Sequence, residues 1–231
     1  LEPECTRTGV SVTLKIIDEI DYLQADIEPS DDTEKLVNSI KLRLLNACAG
    51  SIWMIHNYHL GKNPLFTRAL LEIAHDHPEE RLCFYIHDFP ECSRYENLSF
   101  SHRFIAESPY PVAPNVRYVV INSRDLRYLT DAGIPDSCVS LVNNPVPDEK
   151  LPEDDRDGRR ARFERVLFGK YPGYVPGAPL FLYPVRTIRR KNVLEMGLIC
   201  AAAGEPVNLL VTLPGVSHTE KEYSDKVENA F

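Results

Sequence analysis

Four cations crowd one short stretch of this chain. In Tyr183-Pro184-Val185-Arg186-Thr187-Ile188-Arg189-Arg190-Lys191-Asn192 an apolar run ends and a helical period begins. Arg186, Arg189, Arg190 and Lys191 therefore stand at the expected entrance of a helix, where the macrodipole is positive and the first amides have no intrahelical partner. Each cation there costs about 0.3–1 kcal/mol at an exposed position. A diphosphate would remove the mismatch, meeting free amides, dipole and cationic donors together. The cluster also reads as a solvated basic patch, or as one neutralised by Glu153, Asp154 and Asp155. Spacing alone leaves these readings open.

A second set of polar residues follows the other apolar runs. His56, Asn57, Tyr58, His59, Gly61 and Lys62 come after Ile55, while His87, Asp88 and Phe89 come after Ile86, with Arg94 and Tyr95 further along. Asn122 and Ser123 follow Ile121, and Asn143 and Asn144 follow Val142. In an open parallel sheet, ligands bind beyond the carboxyl ends of the strands, so these residues mark one crevice. His87 can donate to a sugar hydroxyl or a phosphate, and Asp88 can orient it or contact hydroxyls itself. A capping Asp and a backbone-satisfied His would look the same in sequence. His56-x-x-His59 would ligate a metal only on a helix, and Gly61 with its polar neighbours makes the segment a loop; no metal is expected. His75 and His77 close a helix ahead of Pro78, where imidazoles suit the negative dipole end.

Several chemistries have no motif. No G-x-G-x-x-G follows a strand, no G-x-x-x-x-G-K-[ST] occurs, and no G-x-S-x-G elbow is present. A formal charge of −8 argues against a general nucleic-acid binder, which needs a Lys/Arg excess. No apolar run approaches the roughly 18 residues of a membrane-spanning helix, which leaves contact at a membrane surface open. The six cysteines, Cys5, Cys48, Cys83, Cys92, Cys138 and Cys200, include no C-x-x-C pair and read as reduced core residues of a cytoplasmic protein.

The elements that must position these groups alternate. Leu14, Ile16, Ile17, Ile20 and Leu23 recur at helical spacing, as do Leu36, Val37, Ile40, Leu44 and Leu45 after a polar turn at 28–32. Residues 51–55, 82–86, 117–121 and 139–142 read as buried strands. Asn63 caps a helix with Pro64 in its first turn, and Ser123 caps another that Gly133 closes. A charged, Pro-rich stretch follows, with a helix over 159–168. A strand at 180–183, a helix at 192–203, a strand at 207–212 and a polar tail from Ser217 complete the pattern. Apolar strands separated by helices imply an α/β fold with a Rossmann-like parallel sheet covered on both faces. The division expected is a first domain over 1–147, a linker over 148–179 and the first β-α-β of a second Rossmann-like domain over 180–231. That last unit is short for a domain, and the chain reads as a fragment of a longer polypeptide.

These residues resemble glycosyltransferase family 4, retaining enzymes of the GT-B fold. Tyr183-Pro184-Val185-Arg186 with Arg190-Lys191-Asn192 is similar to the start of that family's C-terminal domain, where an Arg and a Lys five apart hold the diphosphate of a nucleotide-sugar donor. Asn143-Asn144-Pro145-Val146-Pro147 resembles the element that hands the N-terminal domain over to the linker. His56-Asn57 and His87-Asp88-Phe89 are similar to its His-bearing loops, and Thr8-Gly9-Val10 to a remnant of its glycine loop. The family's first strand is missing here, and its paired-Glu segment should lie beyond Phe231.

The resemblance implies transfer of a sugar from a nucleoside diphosphate donor to a hydroxyl of a sugar, lipid or small-molecule acceptor, with retention and without a cofactor. Arg186, Lys191 and Arg190 would stabilise the leaving diphosphate in place of a metal. His87 would contact the donor sugar with Asp88 orienting it, and His56, Asn57, His59, Lys62, Arg94 and Asn144 would line the acceptor side, with hinge closure assembling the site. Two other readings stand beside this one. One is a metal-assisted hydrolase built on His56, His59, His87 and Asp88. The other is a non-catalytic Rossmann-like module that binds phosphate or an acidic partner.

Overall fold

The computed structural model describes residues 15–146, apart from 25 and 93, and residues 156–230, apart from 216 and 217. Thr8-Gly9-Val10, Leu14, Cys5, Pro147 and the acidic run Glu153-Asp154-Asp155 lie outside the described residues. The chain divides into two compact units, Leu1–Pro147 and Asp148–Phe231.

The first unit is an α/β layer in which strands β1 (Ile52–His56), β2 (Arg81–Ile86), β3 (Val116–Val120) and β4 (Val139–Leu141) pair in parallel in the order β1-β2-β3-β4. Between them run α2 (Pro64–Asp76), α3 (Tyr95–Ser101) and α4 (Ser123–Asp131), and α1 (Asp31–Cys48) precedes β1. The sheet is Rossmann-like, as the alternation requires. Ser30 caps α1 reciprocally with Thr33.

The expectation of helices on both faces fails. Each crossover steps to the next strand in the same direction, so right-handed connections place the crossover helices on one side. Side chains alternate across the pleat accordingly. Trp53, Leu82, Phe84, Ile86, Val116, Tyr118 and Val120 are buried, whereas Ile52 and Met54 on the opposite face are 63% and 60% exposed. Cys83, Tyr85 and Val119, on that same open face, are half-buried. Of the cysteines, Cys48, Cys83, Cys92, Cys138 and Cys200 are free thiols, and Cys92 is exposed instead of lying in the core.

The segment before α1 departs from its helical period. Only Asp18–Ile20 forms a single 3₁₀ turn. The remainder is an irregular strap whose Ile17, Ile20, Leu23 and Ile27 still pack on the core. Its backbone is bonded by the next loop as well as by its own turns. Asn63 Nδ2 donates to the carbonyls of Glu19 and Asp21 at 2.9 and 2.7 Å, and the Leu23 amide donates to Lys62 O at 3.0 Å. Asn63 also caps α2, its Oδ1 accepting from the Phe66 amide at 2.9 Å. The cap of α4 is Asn122, not Ser123; it accepts from the Asp125 amide, and its own amide group donates to the buried Asp125 carboxylate at 2.7 Å.

The second unit holds α5 (Arg156–Lys170), a two-stranded parallel sheet of β5 (Leu180–Arg186) and β6 (Asn208–Leu213), the intervening α6 (Val193–Ala201), and α7 (His218–Glu228). Strand β5 runs three residues further than its apolar core suggests. Pro184 has no amide to give the ladder, and the register shifts between Tyr183 and Arg186. The stretch expected to be a polar tail contains α7, whose Tyr223 and Val227 pack at i, i+4 spacing on Val193.

One side chain thus closes a helix cap and a tertiary strap. Asn63→Ala should cost about 2–3 kcal/mol, about 1 for the cap and the rest for two stranded carbonyls. Urea unfolding followed by circular dichroism would measure it; a loss under 1 kcal/mol would mean that the strap does not lean on this residue.

Candidate functional site

At the carboxyl ends of β1 and β2 the parallel register sets His56 beside Tyr85. Two residues beyond Tyr85, His87 returns to the same face. The three rings stack, with centroids 4.9 Å apart for His56–Tyr85, 4.5 Å for Tyr85–His87 and 5.1 Å for His56–His87. His56 Nδ1 and His87 Nε2 are 2.8 Å apart, within hydrogen-bond distance. Tyr85 donates its hydroxyl to Val142 O at 3.3 Å, bringing the end of β4 to the same edge. Burial first, and the facing His56 second, push the His87 imidazole below its ordinary value.

Asn57 fixes the turn after β1. Its φ of 53° lies in the left-handed region, which Asn tolerates. Its Oδ1 accepts from the His87 amide at 2.9 Å, while its own amide donates to Tyr85 O at 3.0 Å. Gly61 lets this loop meet α3: at its φ of +68° a Cβ would lie 2.3 Å from Asn97 O. Asn97 Nδ2 then donates to Leu60 O at 2.8 Å.

Three sequence expectations change. Asp88 does not orient His87; its carboxylate pairs with Arg94 Nη2 at 2.6 Å, and His87 is held instead by His56 and Asn57. His59 does not line an acceptor surface. It is 2% exposed, set edge-on or tilted among the rings of Tyr58, Phe89 and Tyr110. A carbonyl only accepts, so the 2.9 Å contact from His59 Nε2 to Asp88 O fixes the Nε2–H tautomer and leaves Nδ1 a buried acceptor without a partner. Burial lowers its pKa to about 4. Lys62 is occupied by Tyr22, donating to its hydroxyl and lying 4.2 Å from the ring centroid. Asn144 is exposed.

Nor do His56, His59, His87 and Asp88 form a metal site: among the described residues no group of three or more His, Cys, Asp or Glu side chains could hold an ion. His59 has spent its Nε2 on a carbonyl, and His56 and His87 are turned on each other. Tyr85 was missed in the sequence, although a residue two before His87 on a strand must share its face.

In the second unit the cations precede the helix instead of occupying its first turn. Arg189–Lys191 form a 3₁₀ turn, and Asn192, at φ 52°, separates it from α6. Arg186 ends β5 and lies 3.5 Å from the Glu220 carboxylate of α7. Arg189 pairs with Glu195 at 2.6 Å. The Glu195 carboxyl is held below its usual range by its own amide and then by Arg189. Tyr223 accepts from the Leu194 amide at 3.3 Å, and Tyr183 donates to Lys191 O at 2.7 Å. Arg190 is exposed and Lys191 half-buried. The acidic partners sequence reading sought in the linker thus include residues of α6 and α7.

The chain is 38% identical over 218 residues, 92% of its length, to the mannosylglucosyl-3-phosphoglycerate synthase of Petrotoga mobilis (strain DSM 10674 / SJ95), and it spans 42% of that relative. No family model matches, and no solved structure does. Among the described residues no helix is long and apolar enough to cross a membrane.

The His59 ring sets a pH dependence of stability. Its folded pKa of about 4 lies below the ordinary 6.5, so the unfolded chain binds the extra proton first as pH falls. Its stabilising contribution is complete above pH 6.5 and drains between 6.5 and 4, by about 3 kcal/mol in all. Urea midpoints measured across that window should fall in the native chain and fall less in His59→Gln; equal slopes would show that this imidazole is not the titrating group.

Proposed function

We propose that this chain is part of an enzyme that transfers a sugar from a nucleoside diphosphate donor to an acceptor hydroxyl, with retention and on a GT-B framework. The observation that carries sugar transfer is the similarity just given, while retention and the GT-B framework come from the resemblance in the motifs. A single alignment of 218 residues covers nearly the whole chain, and the name of the relative denotes synthesis of a mannosyl-glucosyl conjugate. The order of elements agrees: a Rossmann-like unit with its polar residues at the carboxyl edge, then a β-α-β unit with basic residues between its first strand and its helix.

In this reading the first unit supplies the acceptor side and the second the donor diphosphate. Arg186, at the end of β5, and Lys191 and Arg190, in the turn before α6, would take the charge that grows on the departing diphosphate as the glycosidic bond breaks. Glu220 beside Arg186 serves as a placeholder counter-charge that positions the guanidinium before donor binds. His87 would contact the donor sugar. Asp88, closed on Arg94, would stiffen the loop that carries His87, with any hydroxyl contact made through its outward edge. His56, Asn57 and Asn144 remain the acceptor-side groups. His59 acts from beneath the loop, and Lys62 through Tyr22. The acceptor would resemble the relative's named product in carrying sugar hydroxyls.

In the intact enzyme, Arg186→Ala and Lys191→Ala should each lower kcat/KM for the sugar nucleotide at least about tenfold, about 1.4 kcal/mol of transition-state stabilisation. Thermal melts would confirm folding, since Arg186 also neighbours Glu220. Unchanged kinetics in both variants would remove the diphosphate role.

A further inference from the structure

The two imidazoles at the β1–β2 edge cannot hold their mutual bond unaided. The contact between His56 Nδ1 and His87 Nε2, at 2.8 Å, needs one nitrogen to donate and the other to accept. Both rings must therefore lie near one plane with the right edges facing. The terminal torsion of a histidine is broad and two-fold, so neither side chain selects that plane alone. His56 is exposed and His87 half-buried, so neither is wedged in place by a core. Among the described residues the rings make no other side-chain hydrogen bond, and they stack only on Tyr85 and on each other.

We propose that Tyr85 is the positioning residue that makes His56 and His87 act as one group. Its phenol ring is inclined by only 18° to each imidazole, with centroids 4.9 and 4.5 Å away, so one ring sets both planes. The stack fixes the planes and the bond fixes which edges meet; a half-turn of either imidazole would keep the first and lose the second. Tyr85 can serve as the reference because it is itself held. It lies on β2, which pairs with β1 on one side and β3 on the other, and its hydroxyl donates to Val142 O at 3.3 Å. Its backbone works to the same end. Tyr85 O accepts from the Asn57 amide at 3.0 Å, and Asn57 Oδ1 accepts from the His87 amide at 2.9 Å. A closed circuit thus runs from the Tyr85 ring through His87 and Asn57 back to the Tyr85 carbonyl. Asp88 and Arg94, the charged neighbours in the loop after β2, pair with each other.

What the pair serves rests on the sugar-transfer reading; how Tyr85 holds it does not. With both rings neutral, one proton in the bridge obliges the two imidazoles to carry the same tautomer. Nitrogen NMR of this chain at about pH 8, where imidazoles are neutral, should show one matched and unmixed tautomer on His56 and His87. Tyr85→Phe keeps the ring and should keep that signature. Tyr85→Leu should let each imidazole relax to the tautomer mixture of free histidine. Tyr85→Val, β-branched and at home in a strand, takes its place if the Leu variant does not fold. In the intact enzyme, Tyr85→Leu should lower kcat at least about tenfold and move KM for the sugar nucleotide less than about threefold, because misplacement is felt in the transition state. Tyr85→Phe should restore kcat. Unlike or mixed tautomers in the parent chain, the parental signature in Tyr85→Leu, its loss in Tyr85→Phe, or an unchanged kcat in Tyr85→Leu would each overturn the proposal. An intact parent enzyme that transfers no sugar would instead overturn the transferase reading, and the NMR comparison would still decide the role of Tyr85.

Discussion

The loop after β2 is held from below by a buried, uncharged imidazole. His59 gives its Nε2 proton to the Asp88 carbonyl and leaves Nδ1 unpaired in an aromatic pocket. Burying such a group costs free energy, and the return is position. With the Asp88 carbonyl fixed, its carboxylate can close on Arg94 and the preceding His87 can turn toward His56. Asn57 adds a bond from the other side, to the His87 amide. Residues 87 and 88 are thus gripped by the loop after β1 and by the residue that opens α3. Groups that must meet a ligand in one geometry need this kind of support.

Winding direction explains where the grip opens. Because every crossover steps the same way, the helices gather on one face, and the other face keeps His56, Tyr85 and, just past the strand end, His87 accessible. Had the strand order reversed between β1 and β2, a helix would have covered the ring stack. The pleat does the rest, since His56 and Tyr85 share a face through register and His87 through its two-residue offset.

The second unit solves an electrostatic problem differently. Arg189 and Glu195 neutralise each other at 2.6 Å, and Glu220 stands 3.5 Å from Arg186. Exposed pairs of this kind contribute little to stability, about 0–1 kcal/mol. Such pairs can exchange partners at small cost. Tyr223 meanwhile binds the Leu194 amide and packs on Val193, so α7 both covers the helix entrance and supplies the counter-charge.

Local order was legible in the residues. Apolar runs bounded by turns marked the six strands found among the described residues, Asn63-Pro64 marked a helix start, and polar groups after the strands marked the sheet edge, because periodicity, capping and turn chemistry act over a few neighbours. Partnership was not legible. Nothing in the spacing of His56 and His59 says that one faces solvent while the other is sealed, or that Asp88 prefers Arg94 to His87. The apolar period before α1 did not reveal that Asn63 and Lys62 would take its backbone bonds, and Tyr223 and Val227 looked like part of a polar tail. Those outcomes depend on which strand lies beside which and on the direction of each crossover, quantities set by packing between segments far apart in the chain.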